Sequence, residues 1–465
     1  QMTRIYRHLA LYVHVIVIFV FACVSNVGAQ TLVEALTNAY NTNPGILSER
    51  ASLMSTDEGV VQALGNWRPK VELSGDIERE YTENNTRLTD GEREQIRTIE
   101  NVTMTVTQSL FRGFRTEAAV EQAENAVLSK RATLRGSEQS LLLDAASNFL
   151  TVLENQAVLG LNQQNEKVLL RQLQATKDRF RVGEITRTDV SQAEARVAGA
   201  AAARIKSQGD LVISRASYTN VVGVAPGKLV KPSALEGLPS SLEEAKVLAL
   251  KNHPDMVVAE LSTKIAREKV KAKRGELYPT LDMVGTVKRD WESVSNVSEV
   301  TTGEIKLDLK IPLYQKGTVF SGLRQAKIDA RKTEIDLNET EKAVTEKVEN
   351  AWESLKSARA QIKSFNAQID AAKVALEGVE REAAVGSRTV LDVLDSEQEL
   401  LDAKVSLIGA QRDEVLASFQ LLEASGQLTA KKLGLAVKVY DPTNYYGKVR
   451  NKLFGADPPI SLEKY

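Results

Sequence analysis

The chain is poor in the residues that do chemistry. Among 465 residues there is one cysteine, Cys23, so no disulfide can form within the chain. Of three histidines, His8 and His14 lie in an N-terminal segment read below as removable, which leaves His253. One imidazole is too few for a histidine-based metal site, and Ser-His-Asp catalysis finds no convergent partners for it. Aromatic residues are 5%, few for the core of a large enzyme. No phosphate loop, zinc spacing or nucleophile–base pair stands out. The expectation is therefore no enzyme, no catalytic residue, no cofactor and no metal. Neither sign of charge is in excess, with 60 Lys+Arg against 61 Asp+Glu, so a nucleic-acid partner has no basic footprint. Mean hydropathy is −0.23, far too polar for a bundle of membrane-spanning helices. Glycine and proline are scarce, at 27 and 11, and 26% of residues are charged, which argues against wholesale disorder.

The one long apolar run comes first. Arg4 and Arg7 precede Leu9 to Val24, interrupted by His14, and small residues follow at Val27-Gly28-Ala29. This is the order of an export signal, cleaved after Ala29. The run is shorter than the roughly 20 apolar residues of a membrane span. Lipid attachment at Cys23 is the alternative, and bulky Phe21 fits it poorly. The mature chain is expected outside the cytoplasm of a bacterium.

The remainder reads as two copies of one pattern. Thr31-Leu-Val-Glu-Ala aligns with Ser241-Leu-Glu-Glu-Ala at an offset of 210, which also takes Pro44 to Pro254, Pro69 to Pro279 and Gly75 to Gly285. Further on the offset is 203. It takes Leu110-Phe111 to Leu313-Tyr314, Val182-Gly183 to Val385-Gly386, and Thr186, Asp189 and Glu194 to Thr389, Asp392 and Glu397. Seven residues are lost between the registers, within a predicted strand loop.

Proline is also missing between Lys70 and Ala225 and between Leu313 and Asp441, which permits long unbroken helices. Leu355, Ile362, Ile369, Leu376 and Ala383 step by seven, and Ala358, Phe365, Ala372 and Val379 step by seven three residues later. That is an a/d coiled-coil seam. A second stripe runs Leu394, Leu401, Ile408, Val415, Leu422. The helices are predicted to fold back at tip turns marked by Gly183 and Gly386.

Four segments instead alternate with period two. They are Val71, Leu73 and Ile77; Val102, Met104 and Val106; Leu281, Met283 and Val287; and Ile305, Leu307, Leu309, Ile311 and Leu313. Polar loops around Asn84-Asn85-Thr86 and Ser295-Asn296-Val297 join them in pairs. A sheet half-buried on a protein core is one reading. A membrane barrel is the other, and because lipid forbids open sheet edges and barrels start at about eight strands, four strands require more than one chain. The expected organisation is a leader over 1–29 and a first repeat over 30–232, with strands about 70–83 and 98–111 and helices about 114–182 and 187–222. A second repeat covers 233–432, with strands about 280–291 and 304–314 and helices about 317–385 and 389–428, before a C-terminal segment over 433–465.

These features resemble the TolC family of bacterial outer-membrane efflux and type I secretion channels. The resemblance rests on the duplicated strand–helix–helix plan, on Leu110-Phe111 and Pro312-Leu313-Tyr314 at strand-to-helix passages, and on the tip segments from Val182 to Val190 and from Val385 to Asp395. Tyr440-Asp441-Pro442 with Tyr445-Tyr446 is similar to alphaproteobacterial members. The resemblance implies a mixed, mainly α fold in a homotrimer: a twelve-stranded barrel in outer-membrane lipid, four strands per chain, continued by a twelve-helix periplasmic tunnel. An equatorial region over 223–240 and 429–465 would belt the tunnel. It further implies a periplasmic adaptor protein and an inner-membrane transporter of RND or ABC type as partners, and passive export of drugs or proteins. A soluble periplasmic coiled-coil adaptor, with its sheet buried on protein, is the alternative.

Asp392 and Asp395 are three apart and share a helix face. The resemblance makes them the gate, two stacked acidic rings in a trimer, whose crowding is expected to raise their carboxyl pKa values. Thr389-x-x-Asp392 and Thr186-x-x-Asp189 read equally as capping boxes, which leaves a purely structural role open for Asp392. By the same resemblance Arg388 closes the tip against Thr188 and Asp189 of the neighbouring coil. The family carries a tyrosine three residues before the tip glycine, where this chain has Ala383.

Overall fold

The computed structural model describes residues 29–83, 94–233, 235, 237–295 and 297–458. The expected leader up to residue 28, with Cys23, lies outside them, as do Asn84-Asn85-Thr86 and Asn296. In chain order the elements are β1 (Ala29–Gln30), α1 (Leu32–Thr42), α2 (Pro44–Gly65), β2 (Lys70–Glu83), β3 (Glu94–Phe111), α3 (Arg115–Arg181) and α4 (Arg187–Val222). Then follow β4 (Lys228–Leu229), α5 (Leu242–Asn252), α6 (Pro254–Gly275), β5 (Thr280–Trp291), β6 (Glu299–Lys310), α7 (Thr318–Ala384), α8 (Val390–Ala424) and α9 (Asn444–Val449). Among the described residues no helix is long and apolar enough to cross a membrane.

The shorter helices α1, α2, α5 and α6 account for the aligned motifs that open each repeat. Thr31 caps α1 with a full capping box: its Oγ1 accepts from the Glu34 amide at 3.2 Å, and Glu34 Oε2 accepts from the Thr31 amide. Ser241 Oγ accepts likewise from the Glu244 amide at 3.2 Å. The residues before the paired prolines also match in role. Asn43 Oδ1 accepts from the Gly45 amide at 2.8 Å, and His253 Nδ1 from the Asp255 amide at 3.2 Å. Each proline then occupies the first helical position, where its missing N–H costs nothing.

The long helices keep the second offset. α3 and α7 are each 67 residues long. Both end at a glycine in the left-handed region, Gly183 at φ 79° and Gly386 at φ 82°. The Glu184 amide donates to the Arg179 carbonyl and the Ser387 amide to the Glu382 carbonyl, both at 3.0 Å, which satisfies otherwise orphaned helix-end carbonyls.

The chain forms two compact units, each drawing on both repeats. One takes the described residues up to Ile46 with Glu138–Ala249 and Lys347–Val439. Its main core joins Leu36 and Tyr40 of α1, Leu142 and Phe149 of α3, Tyr218 of α4, and Phe419 and Leu422 of α8. Burying each such side chain contributes about 1.5–3 kcal/mol. Nearer the tips, Ile369, Ala372, Leu376 and Ala383 of α7 pack on Val393, Leu400 and Ala403 of α8. The stripe on α8 facing α7 therefore runs one residue earlier than the spacing suggested. Leu394 turns the other way, with Val390, onto Leu169, Ala193 and Ala200 of α3 and α4. α8 carries two seams because it is packed on two sides.

The second unit comprises Leu47–Ser137, Leu250–Glu346 and the described residues from Tyr440 onward. It holds a four-stranded antiparallel sheet in the order β2-β3-β5-β6. Register sorts side chains by face, since directly paired residues point the same way. Val71, Val106, Gly285 and Ile305 form one row, and Leu73, Met104, Val287 and Gly303 the next on that face. The opposite face carries Glu72, Thr105, Thr286 and Glu304, then Ser74, Thr103, Lys288 and Thr302. Trp291 ends β5 on the apolar side of this division, opposite Glu100 and Glu299.

β6 begins earlier and ends earlier than expected, at Glu299–Lys310 in place of about 304–314. The last pair is Thr280↔Lys310. The next would set Pro279 against Ile311, and Pro279 and Pro312 have no N–H to continue the ladder. Ile311 and Leu313 thus lie beyond the strand. β3 likewise begins at Glu94, four residues before the expected start.

Where the sheet meets the helices, Gly113 and Gly275 touch backbone to backbone, and a Cβ on either would run into the other's carbonyl oxygen. Phe114, at φ 61°, stacks edge-on against Phe111 and Tyr278. The C-terminal stretch climbs along α2. Arg50 lies over the Tyr440 ring at 5.1 Å, Tyr445 Oη donates to Glu58 Oε1 at 2.7 Å, and Arg68 Nη1 donates to the Lys452 carbonyl at 3.2 Å.

Candidate functional site

The helix tips gather every residue that the sequence singled out. Thr389 begins α8 as its N-cap. Its amide and its Oγ1 both donate to Asp392 Oδ2 at 2.8 Å, and its Oγ1 accepts from the Asp392 amide at 3.2 Å. Thr186 and Asp189 repeat this at the start of α4, with 2.9 Å, 2.7 Å and 3.3 Å. Both aspartates are thus helix caps, whatever else they do.

These bonds set the charge state. The Thr389 amide and hydroxyl hold the Asp392 carboxyl below the usual carboxylate range, and the nearby Arg388 guanidinium adds to the effect. Within the single chain donors surround the Asp392 carboxylate, apart from any crowding between copies. The Thr186 hydroxyl and amide, with Arg179, do the same to Asp189.

Asp395 is not a cap. Its Oδ1 accepts from Arg196 Nη2 of α4, a partner that the sequence reading missed. The pair is surface-exposed, with 56% of the Asp395 side chain accessible and 38% of Arg196. Arg388 donates from Nε to Glu382 Oε2 at 2.9 Å, so within this chain its ion-pair partner is the last turn of α7. Thr188 is exposed in the first turn of α4. Ala383, standing where the family has tyrosine, is 8% exposed and packs in the α7–α8 seam.

At one pair facing across the hairpin, the two repeats differ in charge. Lys177 of α3 pairs with Glu194 of α4 at 2.8 Å. The equivalent positions of the second repeat hold two acids, Glu380 and Glu397. Burial pushes the Glu397 carboxyl up, and Glu380 pushes it further, against the pull of Lys404 and Arg171. Repetition made this legible, since Glu194 and Glu397 align while their partners have opposite charge.

Comparison with known proteins gives the context. The sequence pattern described as outer membrane efflux protein matches residues 35–224 and 247–427, one span in each repeat. Outer membrane efflux protein BepC of Brucella suis is 35% identical, covering 93% of this chain and 93% of that protein. Outer membrane protein TolC of Vibrio cholerae is 25% identical, covering 87% and 92%. The crystal structure of the outer membrane protein VceC from Vibrio cholerae matches with a TM-score of 0.76 at 17% identity, over 85% of this chain and 96% of that one, which shows a shared fold. The soluble-adaptor reading gives way to an outer-membrane one. The chain belongs to the outer membrane efflux protein family.

Proposed function

We propose that three copies of this chain close one twelve-stranded barrel and one twelve-helix tunnel, and that the duct exports its cargo passively, without chemistry of its own. The carrying observation is the sheet. Its rows through Val71 and Leu73 are apolar on one face and those through Glu72 and Ser74 polar on the other, and among the described residues its edges β2 and β6 have no further partner strand. Lipid tolerates no open edge, so the edges must meet those of other copies. Mass measurement of the detergent-solubilised particle tests this; a well-folded monomer in the membrane rejects it.

The mature chain serves as two repeats, 30–232 and 233–432, with 433–465 as a C-terminal segment. Its partners are a periplasmic adaptor protein and an inner-membrane transporter of RND or ABC type. Crosslinking in cells, followed by copurification of the inner-membrane partner, identifies which. Asp392 and Asp395 form the gate at the periplasmic tips, with Gly183 and Gly386 as the tip turns. Arg388 exchanges its Glu382 contact for Thr188 and Asp189 of a neighbouring coil in the closed trimer. Because Ala383 offers no hydroxyl, the Arg196–Asp395 pair supplies the tie between α4 and α8.

A further inference from the structure

We propose that the C-terminal segment is a membrane anchor, inserting Leu453 and Phe454 among the phospholipids of the periplasmic leaflet beside the foot of the sheet. The inference rests on the reading of the sheet as lipid-embedded. Its first support is position. The segment's contacts with α2 and the turn after it ascend in order, from Arg50 with Tyr440, through Glu58 with Tyr445, to Arg68 with Lys452. Arg68 stands two residues before β2 begins at Lys70. The climb ends where the apolar face of the sheet starts with Val71, which is 60% exposed.

The second support is what the segment presents there. Leu453 is 65% exposed and Phe454 is 88% exposed, adjacent and uncovered on a stretch where Tyr445 and Val449 are buried. Tyr445 and Val449 hold the segment against Met54 of α2, so Leu453 and Phe454 are not needed to dock it. Trp67, next to Arg68 in sequence, is half-exposed as well.

The third support is charge. Lys448, Arg450 and Lys452 fall within five residues, and no acid follows until Asp457. Arg450 shares Glu124 with Tyr446. Lys452 Nζ donates to the Asp457 carbonyl at 2.7 Å, a neutral acceptor, and among the described residues no carboxylate pairs with it. Basic residues flanking exposed aliphatic and aromatic side chains suit a surface of anionic headgroups over acyl chains. The strip is thus continuous with the lipid-facing strands and complementary in charge to phospholipid.

The test places a bimane fluorophore at single cysteines in a Cys23→Ser background. The sites are Phe454→Cys, Leu309→Cys on the apolar face of the sheet, and Glu377→Cys on exposed α7. The full-length protein is reconstituted into vesicles of phosphatidylethanolamine and phosphatidylglycerol doped with a spin-labelled phospholipid. All three side chains are exposed, so the substitutions remove no core contact. The expected result is loss of emission at 454 comparable to that at 309, none at 377, and protection of 454 from aqueous iodide. Quenching at 309 without quenching at 454, and iodide access at 454, overturns the anchor alone. A label at 454 shielded from both quenchers means a second copy covers it, and also overturns the anchor. No lipid quenching at 309 removes the lipid-embedded reading and the anchor with it. Exchanging Lys448 and Lys452 for Glu is expected to lower quenching at 454 and leave 309 unchanged; an unchanged 454 signal overturns the part assigned to headgroup charge.

Discussion

Arg196 and Asp395 face each other across two helices that the sequence separates by nearly two hundred residues, and their guanidinium and carboxylate are in direct contact. One residue away, Leu394 is 2% exposed against Leu169 and Ala193. The two contacts are unequal. An exposed ion pair is worth about 0–1 kcal/mol, whereas truncating a buried leucine to alanine costs about 2–5 kcal/mol. Leu394 therefore fixes α8 against the first hairpin, and the ion pair trims how firmly the tips stay joined.

That inequality separates two substitutions. Arg196→Ala is expected to leave the melting temperature nearly unchanged and to increase open time in single-channel recordings. Leu394→Ala is expected to destabilise by about 2–5 kcal/mol in denaturant unfolding. An Arg196→Ala duct that gates as before removes the tie assigned to this pair.

The acidic gate predicts selectivity. Asp392→Asn with Asp395→Asn keeps side-chain size and removes the charge that a narrow entrance focuses. The double variant is expected to assemble, to lose its preference for cations, and to lose block by multivalent cations. Because the Thr389 bonds depress the Asp392 carboxyl below its ordinary 3.8, the negative charge persists through mildly acid conditions. The sign for the cap follows: its contribution is present above the unfolded value and lost as pH falls through the lower folded one. Conductance ratios recorded from pH 7 to pH 4 check this; selectivity already lost near pH 6 contradicts it.

Glu380 and Glu397 set like charges where the first hairpin has an attractive pair. Glu380→Lys restores the first-repeat arrangement and is expected to tighten the α7–α8 hairpin, measured as slower amide exchange near the tip. Acidification should mimic it. A carboxyl with a raised folded value opposes folding when ionised, so the hairpin gains as pH falls through that value. Equal exchange in the variant and the parent contradicts the assignment.

The sheet faces can be tested by charge insertion. A basic side chain facing lipid costs about 2–4 kcal/mol at the midplane and about 0–1 kcal/mol near an interface, so Leu309, by the foot of the sheet, feels the smaller figure. Arg at Leu307 should impair assembly, Arg at Leu309 less so, and Arg at Lys306, Asp308 or Lys310 should be mild. Trimer yield in membranes reads the difference, and the reverse pattern exchanges the two faces.

Asp57 of α2 is 1% exposed, and among the described residues neither carboxylate oxygen has a hydrogen-bond partner. Burial pushes its carboxyl up to about 6, Arg131 pulls it down, and Glu58 raises it. Its ionisation therefore works against the fold. Stability should be greatest below the unfolded value and fall as pH rises through about 6. Asp57→Asn removes the ionisation and should flatten that dependence. Thermal midpoints measured from pH 4 to pH 7.5 decide it.

The elements that the sequence made legible are those with a period. The heptads of α7 and the alternation at Val71, Leu73 and Ile77 each bury or sort one face, so spacing alone marks them. The capping boxes at Thr186 and Thr389 are equally local. What escaped depends on partners distant in the chain. Arg196 has no pattern of its own, and its role exists only because Leu394 draws α8 onto α4. The end of β6 was misplaced because Ile311 and Leu313 continue the alternation past Lys310, while the ladder stops at the residue opposite Pro279.

α3 and α7 agree in length to the residue, and the seven-residue difference between repeats falls wholly in the strand hairpins. Each helix thus works as a ruler against the other. Removing a single residue from α3 alone would draw its tip back by about 1.5 Å and rotate it by about 100°, which parts Thr186 and Arg196 from their counterparts on α8. A seven-residue excision made in all four long helices at one level would instead preserve both the seams and the match between tips. Such a chain should fold as a shorter duct, while the same excision in one repeat alone should not.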